Sequence, residues 1–439
     1  MSQPTILRGR VLSFLNEPGG LHDTASYRYL DDGAITIVDG TIVAVGDYAD
    51  ADLTGATIID HRPHLIMPGF IDAHLHYVQS QMIASYAASL LEWLNTYTFV
   101  EEQKFSQQGH AGMVASAFYD ELIRNGTTTA AAYCSSHPAS VDAFFSEAAR
   151  RNMLMIGGKV MMDRNAPPAL CDTAQSGYDD TKALIGRWHG QGRALYAISP
   201  RFAITSTPAQ MEAAPALVAA FPDCYVQTHL SENDAEITFS MELYPEAPDY
   251  TGIYEHYGLL GRKTLLGHCL HLNHRETRVL ADTGAVAVFC PTSNLFLGSG
   301  LFDHERLAIA GVNVAVATDI GGGTSYSMLR TMDEGYKVLQ LRGQRLTPLN
   351  SFYMMTLGNA RALSLEGTIG SIAPGMAADL VVLDAGATPA MALRLATVTS
   401  LVEELFLLQT LGDDRSIAEV YVAGARQKST LGGLAIRLA

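Results

Sequence analysis

The sequence contains no apolar run long enough to cross a membrane, and it has little positive charge to attract nucleic acid. Among the 439 residues, Gly, Pro or charged residues interrupt the longest apolar stretches, whereas a transmembrane helix needs about 20 consecutive apolar residues. The formal net charge is −16 at pH 7, the opposite of a surface that binds phosphates through clustered Lys and Arg. We therefore expect neither a membrane protein nor a nucleic-acid-binding protein.

Cysteine is scarce, and no basic segment followed by an apolar core opens the sequence. The five cysteines are odd in number and widely spaced, and no two form a Cys-x-x-Cys pair: Cys134, Cys171, Cys224, Cys269 and Cys290. Residues 1–10 lack the pattern of a secretory signal. We expect reduced thiols in a cytoplasmic protein, and we predict no thiolate metal ligand.

Three common motifs are missing as well. The sequence has no G-x-G-x-x-G and no phosphate-binding G-x-x-x-x-G-K-[ST], so nothing favours an open, doubly wound nucleotide-binding sheet. It has no H-E-x-x-H, which excludes a zincin protease. The run His274-Arg275-Glu276 matches half of the cytidine-type deaminase pattern, but the required Pro-Cys-x-x-Cys is absent.

Short apolar segments alternate with longer amphipathic stretches from residue 70 onward, which predicts βα units and a parallel sheet. Eight segments resemble strands: Phe70 to His76, Thr127 to Cys134, Met153 to Met161, Ala194 to Arg201, Tyr225 to Leu230, Thr264 to His268, Ala285 to Cys290, and Val312 to Asp319. Helix-like stretches lie between them, for example His110 to Arg124, Val141 to Arg151 and Pro208 to Ala220. Eight units in roughly 250 residues predict an α/β protein with a (β/α)₈, TIM-like barrel.

The two ends of the chain differ in composition from the middle. Residues 6–60 are rich in Val, Ile and Thr, with turn pairs at Asp32-Gly33 and Asp39-Gly40, which is typical of hairpins. Residues 378–384 and 418–424 are similar, but each end alone has too few strands for a stable sheet. We expect a small composite β-sandwich built from residues 1–66 and 373–439, around a barrel at residues 67–372.

Polar residues stand at the ends of the predicted barrel strands. His74 and His76 share one face of the first strand, because side chains at i and i+2 point the same way. His229, His268 and Asp319 end the fifth, sixth and eighth strands, and chemistry in βα barrels lies at that face. Histidine and carboxylate ligands suit Zn²⁺ or a similar divalent ion.

Each of these residues also has a plain structural explanation. His229 and His268 could be hydrogen-bonded core histidines, and Asp319 could cap the helix that follows it. Glu232 could be a surface residue at a helix start, or a proton carrier beside a metal. Convergence of separate segments on one barrel face favours the metal site.

These residues make the chain resemble the metal-dependent amidohydrolase superfamily over almost its whole length. The superfamily pattern consists of the His-x-His, the two later histidines, Asp319 and the closing run Gly375 to Val381. Longer runs resemble the guanine deaminase family within it: His76 to Gln79, Leu90 to Phe99, Gly158 to Asp163, Ser199 to Phe202, and Cys290 to Leu295. Val78 stands where that family is expected to have proline, and we expect it to adjust only a loop.

The resemblance implies a reaction, namely hydrolytic deamination of guanine at C2 to xanthine and ammonia by a metal-bound hydroxide. The implied metal ligands are His74, His76, His229 and Asp319, which would hold one Zn²⁺ per subunit, although Fe²⁺ and Mn²⁺ accept the same ligands. The implied catalytic residues are Glu232, His268 and Asp319: Glu232 moves protons to the ring nitrogen and the leaving amine, His268 hydrogen-bonds the reacting centre, and Asp319 takes or orients the water proton.

Substrate recognition is implied at four further positions. Gln79 and Arg201 would face the polar edge of guanine, and Trp93 and Phe202 could pack on its ring faces or serve as core aromatics. A homodimer is implied by the family alone. Two rivals stay open: a hydrolase of the same scaffold acting on a pterin, 8-oxoguanine or an s-triazine, and a non-catalytic scaffold protein.

Overall fold

A computed structural model describes residues 3–86 and 89–431. Its strands are β1 Thr5–Phe14, β2 Tyr27–Val38, β3 Thr41–Asp47, β4 Thr57–Pro68, β5 Phe70–His76, β6 Thr127–Tyr133, β7 Leu154–Gly158, β8 Val160–Met161, β9 Ala194–Pro200, β10 Tyr225–Leu230, β11 Thr264–His268, β12 Val286–Phe289, β13 Asn313–Val316, β14 Leu380–Leu383, β15 Ile417–Val422 and β16 Ala425–Arg426.

The α-helices are α1 Leu90–Trp93, α2 Phe99–Glu102, α3 Gln108–Arg124, α4 Pro138–Arg151, α5 Ala174–Trp188, α6 Pro208–Ala220, α7 Asp234–Leu243, α8 Tyr250–His256, α9 His274–Thr283, α10 Pro291–Phe296, α11 His304–Ile309, α12 Met328–Leu341, α13 Pro348–Tyr353, α14 Asn359–Ala362, α15 Pro389–Leu395 and α16 Leu401–Leu411. Two π-helical segments are Leu94–Thr98 and Met354–Gly358. Short 3₁₀ helices are Thr24–Ser26, Tyr48–Asp50, Tyr77–Met82, Gln103–Ser106, Pro168–Leu170, Ala203–Thr205, Asp414–Ser416 and Lys428–Thr430.

The predicted barrel is confirmed. Parallel strands follow one another in the order β5, β6, β7, β9, β10, β11, β12, β13, with β8 as a short addition beside β9. Every residue of β6 is buried, as expected where helices cover one face of a parallel sheet and the barrel interior fills the other. Helix α3 buries a stripe at i, i+3 and i+4 spacing, which fixes it against the barrel: Ala111, Val114, Ala115, Phe118, Tyr119, Leu122 and Ile123.

The first and last barrel strands meet at a seam that a few backbone hydrogen bonds close. The N–H of Asp319 donates to the carbonyl of His74 (2.9 Å), and the N–H of His76 donates to the carbonyl of Ile320 (3.0 Å). The chain beyond β13 is thereby held against the end of β5. The seam therefore places Asp319, the last of the four implied metal ligands, beside the first two.

Two buried polar side chains strengthen the seam. Asp72 accepts hydrogen bonds from the backbone N–H of Thr318 (3.1 Å) and from that residue's hydroxyl. Asn359 of α14 donates to the carbonyls of Ile71 (2.6 Å) and Val316 (2.8 Å). Burial raises the pKa of Asp72 to about 7, and the hydrogen bonds from Thr318 oppose that shift.

Strands from both ends of the chain form one sheet, as predicted for the composite domain. Its order is β16, β15, β14, β4, β1, β2, β3, so β4 joins the N-terminal strands to the C-terminal ones. Its buried face includes Leu7, Val11, Ile35 and Leu380. The boundaries at residues 66/67 and 372/373 stay predictions.

One of the two predicted hairpin turns is wrong. Asp39 and Gly40 do form the turn between β2 and β3, both with positive φ (49° and 78°). Asp32 and Gly33 instead lie inside β2, where Gly33 pairs with Gly9 of β1. A Cβ at position 33 would lie 2.7 Å from Cγ2 of Val11, so this glycine accommodates a close strand approach rather than a reversal.

No helix in the described ranges is long and apolar enough to cross a membrane. The five cysteines are all unpaired in the structure, and Cys171 is the only one that is not fully buried.

Candidate active site

Five polar side chains from four strand ends converge on one buried cluster. His74 and His76 end β5, His229 lies at the end of β10, His268 ends β11, and Asp319 lies three residues after β13. These five residues are called the metal end below. The barrel brings them together because the carboxyl ends of its strands all open on the same face.

The spacing of the metal-end atoms suits a small divalent cation. His74 Nε2 and His76 Nε2 lie 3.4 and 3.5 Å from Asp319 Oδ1, and His76 Nε2 lies 3.2 Å from His229 Nε2. Tetrahedral ligands about 2.0–2.1 Å from Zn²⁺ lie about 3.3–3.4 Å from one another. His74 Nε2 is buried and has no hydrogen-bond partner in the described part of the chain, so the cluster has the spacing and the free lone pair that a cation requires.

Hydrogen bonds at the far side of two rings orient the imidazoles. His229 Nδ1 lies 2.7 Å from the carbonyl of Arg201, and His268 Nδ1 lies 2.8 Å from Oδ1 of Asn294. Since both acceptors are oxygens, each ring donates its Nδ1–H and turns an unprotonated Nε2 towards the cluster. This is the usual arrangement of histidines that bind or face a metal.

The charge states of the cluster also suit a cation. Burial, followed by the nearby imidazoles and Arg201, lowers the pKa values of His74, His76 and His229 well below their ordinary range. Burial raises the pKa of Asp319 to about 6, which His268 partly opposes. The three neutral imidazoles of His74, His76 and His229 present lone pairs beside the Asp319 carboxylate, which supplies negative charge.

Three residues that follow the barrel strands have left-handed backbone conformations. Ser231, Cys269 and Asp319 have φ values of 51°, 58° and 51°. Such conformations cost energy for residues with a Cβ and cluster at functional sites. Here they turn the chain sharply at the mouth of the barrel, which directs the preceding histidines and Asp319 inward.

Glu232 lies beside the cluster on the loop after β10. Its Oε2 lies 3.4 Å from His268 Nε2, and its Oε1 accepts a hydrogen bond from the Ser299 hydroxyl (3.1 Å). Burial, and then the Asp319 carboxyl, raises the pKa of Glu232 to about 8. The side chain is 4% exposed, and the residue whose side chain caps α7 with Asn233 is Glu236, so Glu232 is not a surface residue at a helix start.

The capping alternative for Asp319 is also excluded, because the next helix, α12, is capped by Ser327. Cys290 can approach His268 and Asp319 closely enough to join a metal group. However, burial raises its pKa well above the ordinary range, and its thiol faces the carbonyl of Val288. In the absence of a metal it is therefore a neutral thiol, and the absence of a thiolate ligand stays a prediction.

A second polar group lies across the cleft and is called the ring end below. It consists of Gln79, Glu102 and Arg201, which are 1%, 0% and 3% exposed. Glu102 accepts a hydrogen bond from Gln79 Nε2 (2.9 Å). It also accepts one from Arg201 Nη1 (2.6 Å), with which it forms an ion pair. The ring end therefore contains one cation and one anion in contact.

The two ends line one cleft of about 410 Å³, counted as all space that atoms do not fill. Nine of the ten predicted site residues line it: His76, Gln79, Trp93, Arg201, Phe202, His229, Glu232, His268 and Asp319. The tenth, His74, lies behind them in the cluster. Trp93 and Phe202 are nearly fully buried, and the indole N–H of Trp93 has no acceptor among the residues that the structure describes.

Sequence reasoning missed three residues of this region. Glu102 and Asn294 hold Arg201 and His268 in place, and the ring of Tyr133 stacks on His76 (4.6 Å between centroids). Asn294 was within reach of prediction, because it belongs to the run Cys290 to Leu295. Glu102 gave no signal, since the polar run Glu101 to Lys104 is typical of a surface helix.

The chain is similar to known proteins in sequence and in structure. Residues 65–426 match the Amidohydrolase family. The chain is 47% identical over 403 residues to guanine deaminase of Escherichia coli (strain K12), which covers 91% of this chain and 92% of that protein.

Two solved structures are similar to the whole fold. That of E. coli guanine deaminase has a TM-score of 0.94 and 44% identity, covering 96% of this chain and 99% of that one. The crystal structure of guanine deaminase from C. acetobutylicum with bound guanine in the active site has a TM-score of 0.87 and 29% identity, with coverage of 96% and 99%. The chain belongs to the amidohydrolase family, in the group that contains the guanine deaminases.

Proposed function

We propose that the protein is a guanine deaminase that hydrolyses guanine at C2 to xanthine and ammonia. The observation that supports this best is the pairing, in one cleft, of a cation-binding cluster with a charge-balanced polar group. The cluster, with a cation bound, can activate water. The charge-balanced polar group suits a neutral heterocycle with donors and acceptors on its edge. The 47% identity to E. coli guanine deaminase selects guanine among such heterocycles.

The metal ligands in this proposal are His74, His76, His229 and Asp319, and the metal is Zn²⁺. The same nitrogen and oxygen donors also accept Fe²⁺ and Mn²⁺. When bound, such an ion acts as a Lewis acid and lowers the pKa of a water molecule from about 15.7 to about 7.

Glu232 is the proposed proton carrier. Burial raises the pKa of this carboxyl to about 8 in the metal-free protein, and in its protonated form it can give a proton to the ring nitrogen next to C2. It can then take a proton from the attacking water and pass it to the leaving amine, which departs as ammonia. A positioned acid of this kind contributes typically about 10²–10⁴-fold to the rate.

His268 and Asp319 are the other proposed catalytic residues. The hydrogen bond to Asn294 leaves His268 Nε2 free to accept a hydrogen bond from the water or from the tetrahedral centre at C2. Asp319, at 3.7 Å from that nitrogen through Oδ2, can orient the water and accept its proton.

Gln79, Arg201, Trp93 and Phe202 are the proposed substrate-binding residues. Gln79 Oε1 and Trp93 Nε1 are buried and have no hydrogen-bond partner within residues 3–86 and 89–431, so each has an unused hydrogen-bonding capacity that a purine edge could satisfy. Phe202 lies 6.3 Å from the His229 ring between centroids, which places an apolar face next to the metal end. A homodimer in the cytoplasm is also proposed, and it is supported by the family resemblance alone.

The deciding experiment is ammonia release by purified protein of known metal content. Guanine is compared with adenine, 8-oxoguanine, a pterin and an s-triazine, before and after chelation. We expect chelator-sensitive release from guanine at the highest kcat/KM. Turnover of another ring with guanine inert would refute the substrate and retain the amidohydrolase activity, whereas no turnover by fully metallated protein would favour the non-catalytic scaffold.

A further inference from the structure

Glu102 stands out because it is a fully buried carboxylate that both substrate-recognition candidates share. One oxygen accepts from the Gln79 amide (2.9 Å) and the other from the Arg201 guanidinium (2.6 Å). Glu102 does not line the cleft itself. It lies on α2, behind the two side chains that do.

This contact decides which way the Gln79 amide faces. An amide has a donor side and an acceptor side, whereas an ionised carboxylate only accepts. The nitrogen of Gln79 must therefore face Glu102, and the oxygen must face away from it. That oxygen is buried and has no hydrogen-bond partner in the described residues, so it is available as an acceptor.

The same contact fixes Arg201. Its guanidinium is tied to Glu102 at Nη1 and lies above the Phe99 ring, with 5.5 Å between Cζ and the ring centroid. A guanidinium has five N–H donors and no acceptor. The ring end thus presents one acceptor from Gln79 and cationic donors from Arg201, in a fixed arrangement.

We propose that Glu102 is a positioning residue that sets this hydrogen-bonding pattern and thereby the preference for 6-oxo over 6-amino purines. An acceptor beside a cationic donor matches an edge with a ring N–H and a carbonyl oxygen, as in N1–H and O6 of guanine. A 6-amino purine has an unprotonated N1 and an amine there, so both contacts would be mispaired. Mispaired buried groups discriminate strongly between substrates.

The inference rests on the proposed function, and its test compares two substrates that share the reacting amine. Guanine and 2,6-diaminopurine both have an amine on C2 and differ at C6 and N1. The measurement is the ratio of their kcat/KM values, with the separate kcat and KM values for guanine and the metal content of each variant.

Glu102→Gln replaces a carboxylate that can only accept by an amide that can also donate. The Gln79 side-chain amide can then rotate by 180° and exchange its oxygen and nitrogen. We expect the guanine to 2,6-diaminopurine ratio to fall by about tenfold or more, mainly through a higher KM for guanine, with unchanged metal content. Glu101→Gln is the matched control. Glu101 pairs with Lys104 (2.6 Å) and is absent from the cleft lining, so its ratio should equal that of the wild type.

Glu102→Asp provides a second test, which also decides the question if Glu102→Gln does not fold. The shorter carboxylate cannot keep both hydrogen bonds at their present lengths but still only accepts. We expect a higher KM for guanine and a smaller fall of the ratio than with Gln. Wild-type values of KM and ratio in a folded, metallated Glu102 variant would overturn the inference, whereas inactivity of the wild type on guanine would instead overturn the proposed function.

Discussion

The two ends of the cleft are equally buried but differ in how their charges are balanced. The ring end contains a cation and an anion in contact, Arg201 and Glu102. At the metal end, burial lowers the pKa values of His74, His76 and His229 and raises those of Asp319 and the neighbouring Glu232. The ring end is neutral by itself, whereas added positive charge at the metal end would favour the ionised form of its carboxyl groups.

This difference indicates what each end is built to receive. A buried carboxylate without a cation is costly, and a bound metal removes that cost. A charge-balanced pair offers directional hydrogen bonds without a net charge, which suits a neutral ring. The two ends should therefore respond separately to substitution, and the following predictions test that separation in order of decreasing effect.

Asp319→Ala should disable the metal end. Its backbone N–H still donates to His74, so the seam keeps that hydrogen bond while the carboxylate ligand is lost. We expect substoichiometric zinc and a loss of activity on the order of a thousandfold, since Lewis-acid stabilisation amounts to several kcal/mol. Metal analysis and steady-state kinetics measure both, with Asp303→Ala, at the N-terminus of α11, as control. Full zinc occupancy with wild-type activity would exclude Asp319 as a ligand.

Glu232→Gln should slow the chemical step without loss of the metal. The amide can still accept from Ser299 and can donate to His268 Nε2, so the local packing persists. We expect kcat to fall about 10²–10⁴-fold at unchanged zinc content. The exposed Glu242 on α7 gives the matched control, Glu242→Gln. If Glu232→Gln turns guanine over at the wild-type rate, another group carries the proton.

Two glycines contact side chains of the metal end and of the ring end, so each end can be perturbed by adding a Cβ beside it. A Cβ on Gly267 would lie 2.6 Å from Cε1 of His74, and a Cβ on Gly321 would overlap Oε1 of Gln79. We expect Gly267→Ala to weaken zinc binding about 10–100-fold, and Gly321→Ala to keep its zinc but raise KM for guanine about tenfold. Gly186→Ala, in open space on α5, is the control. Identical effects of both variants on zinc would show that the ends are coupled.

The last prediction concerns stability without metal, which is separate from these effects on activity and zinc binding. The pKa of Glu232 is raised from 4.5 to about 8 by burial, so the unfolded chain ionises first and the wild type loses stability as pH rises from about 4.5 to 8. Metal-free Glu232→Gln lacks this loss and should gain up to about 4 kcal/mol over the wild type between pH 5 and pH 9. Urea unfolding at both pH values measures it. A constant difference would mean that Glu232 is ionised when folded.

The sequence predicts the metal end better than the ring end, for a physical reason. The four histidines belong to strands, namely His74, His76, His229 and His268. Side chains alternate between the two faces of a strand, and parallel barrel strands end at one face of the barrel, so the sequence specifies where these side chains point. Glu102 is brought to Arg201 across 99 positions of the chain by a helical segment whose placement depends on packing. The hairpin turn predicted at Gly33 is wrong for a related reason. The residue that requires a glycine there, Val11, belongs to another strand.

The seam between β5 and β13 determines how late in chain synthesis the proposed metal site can be completed. Three of the proposed ligands precede residue 230, but the fourth is positioned only when the eighth strand closes on the first through the hydrogen bonds at His74, His76 and Asp72. A nascent chain therefore has no complete coordination sphere until nearly three quarters of it has been synthesised. If the four proposed ligands hold one ion, their complete site can form only after the barrel ring has closed.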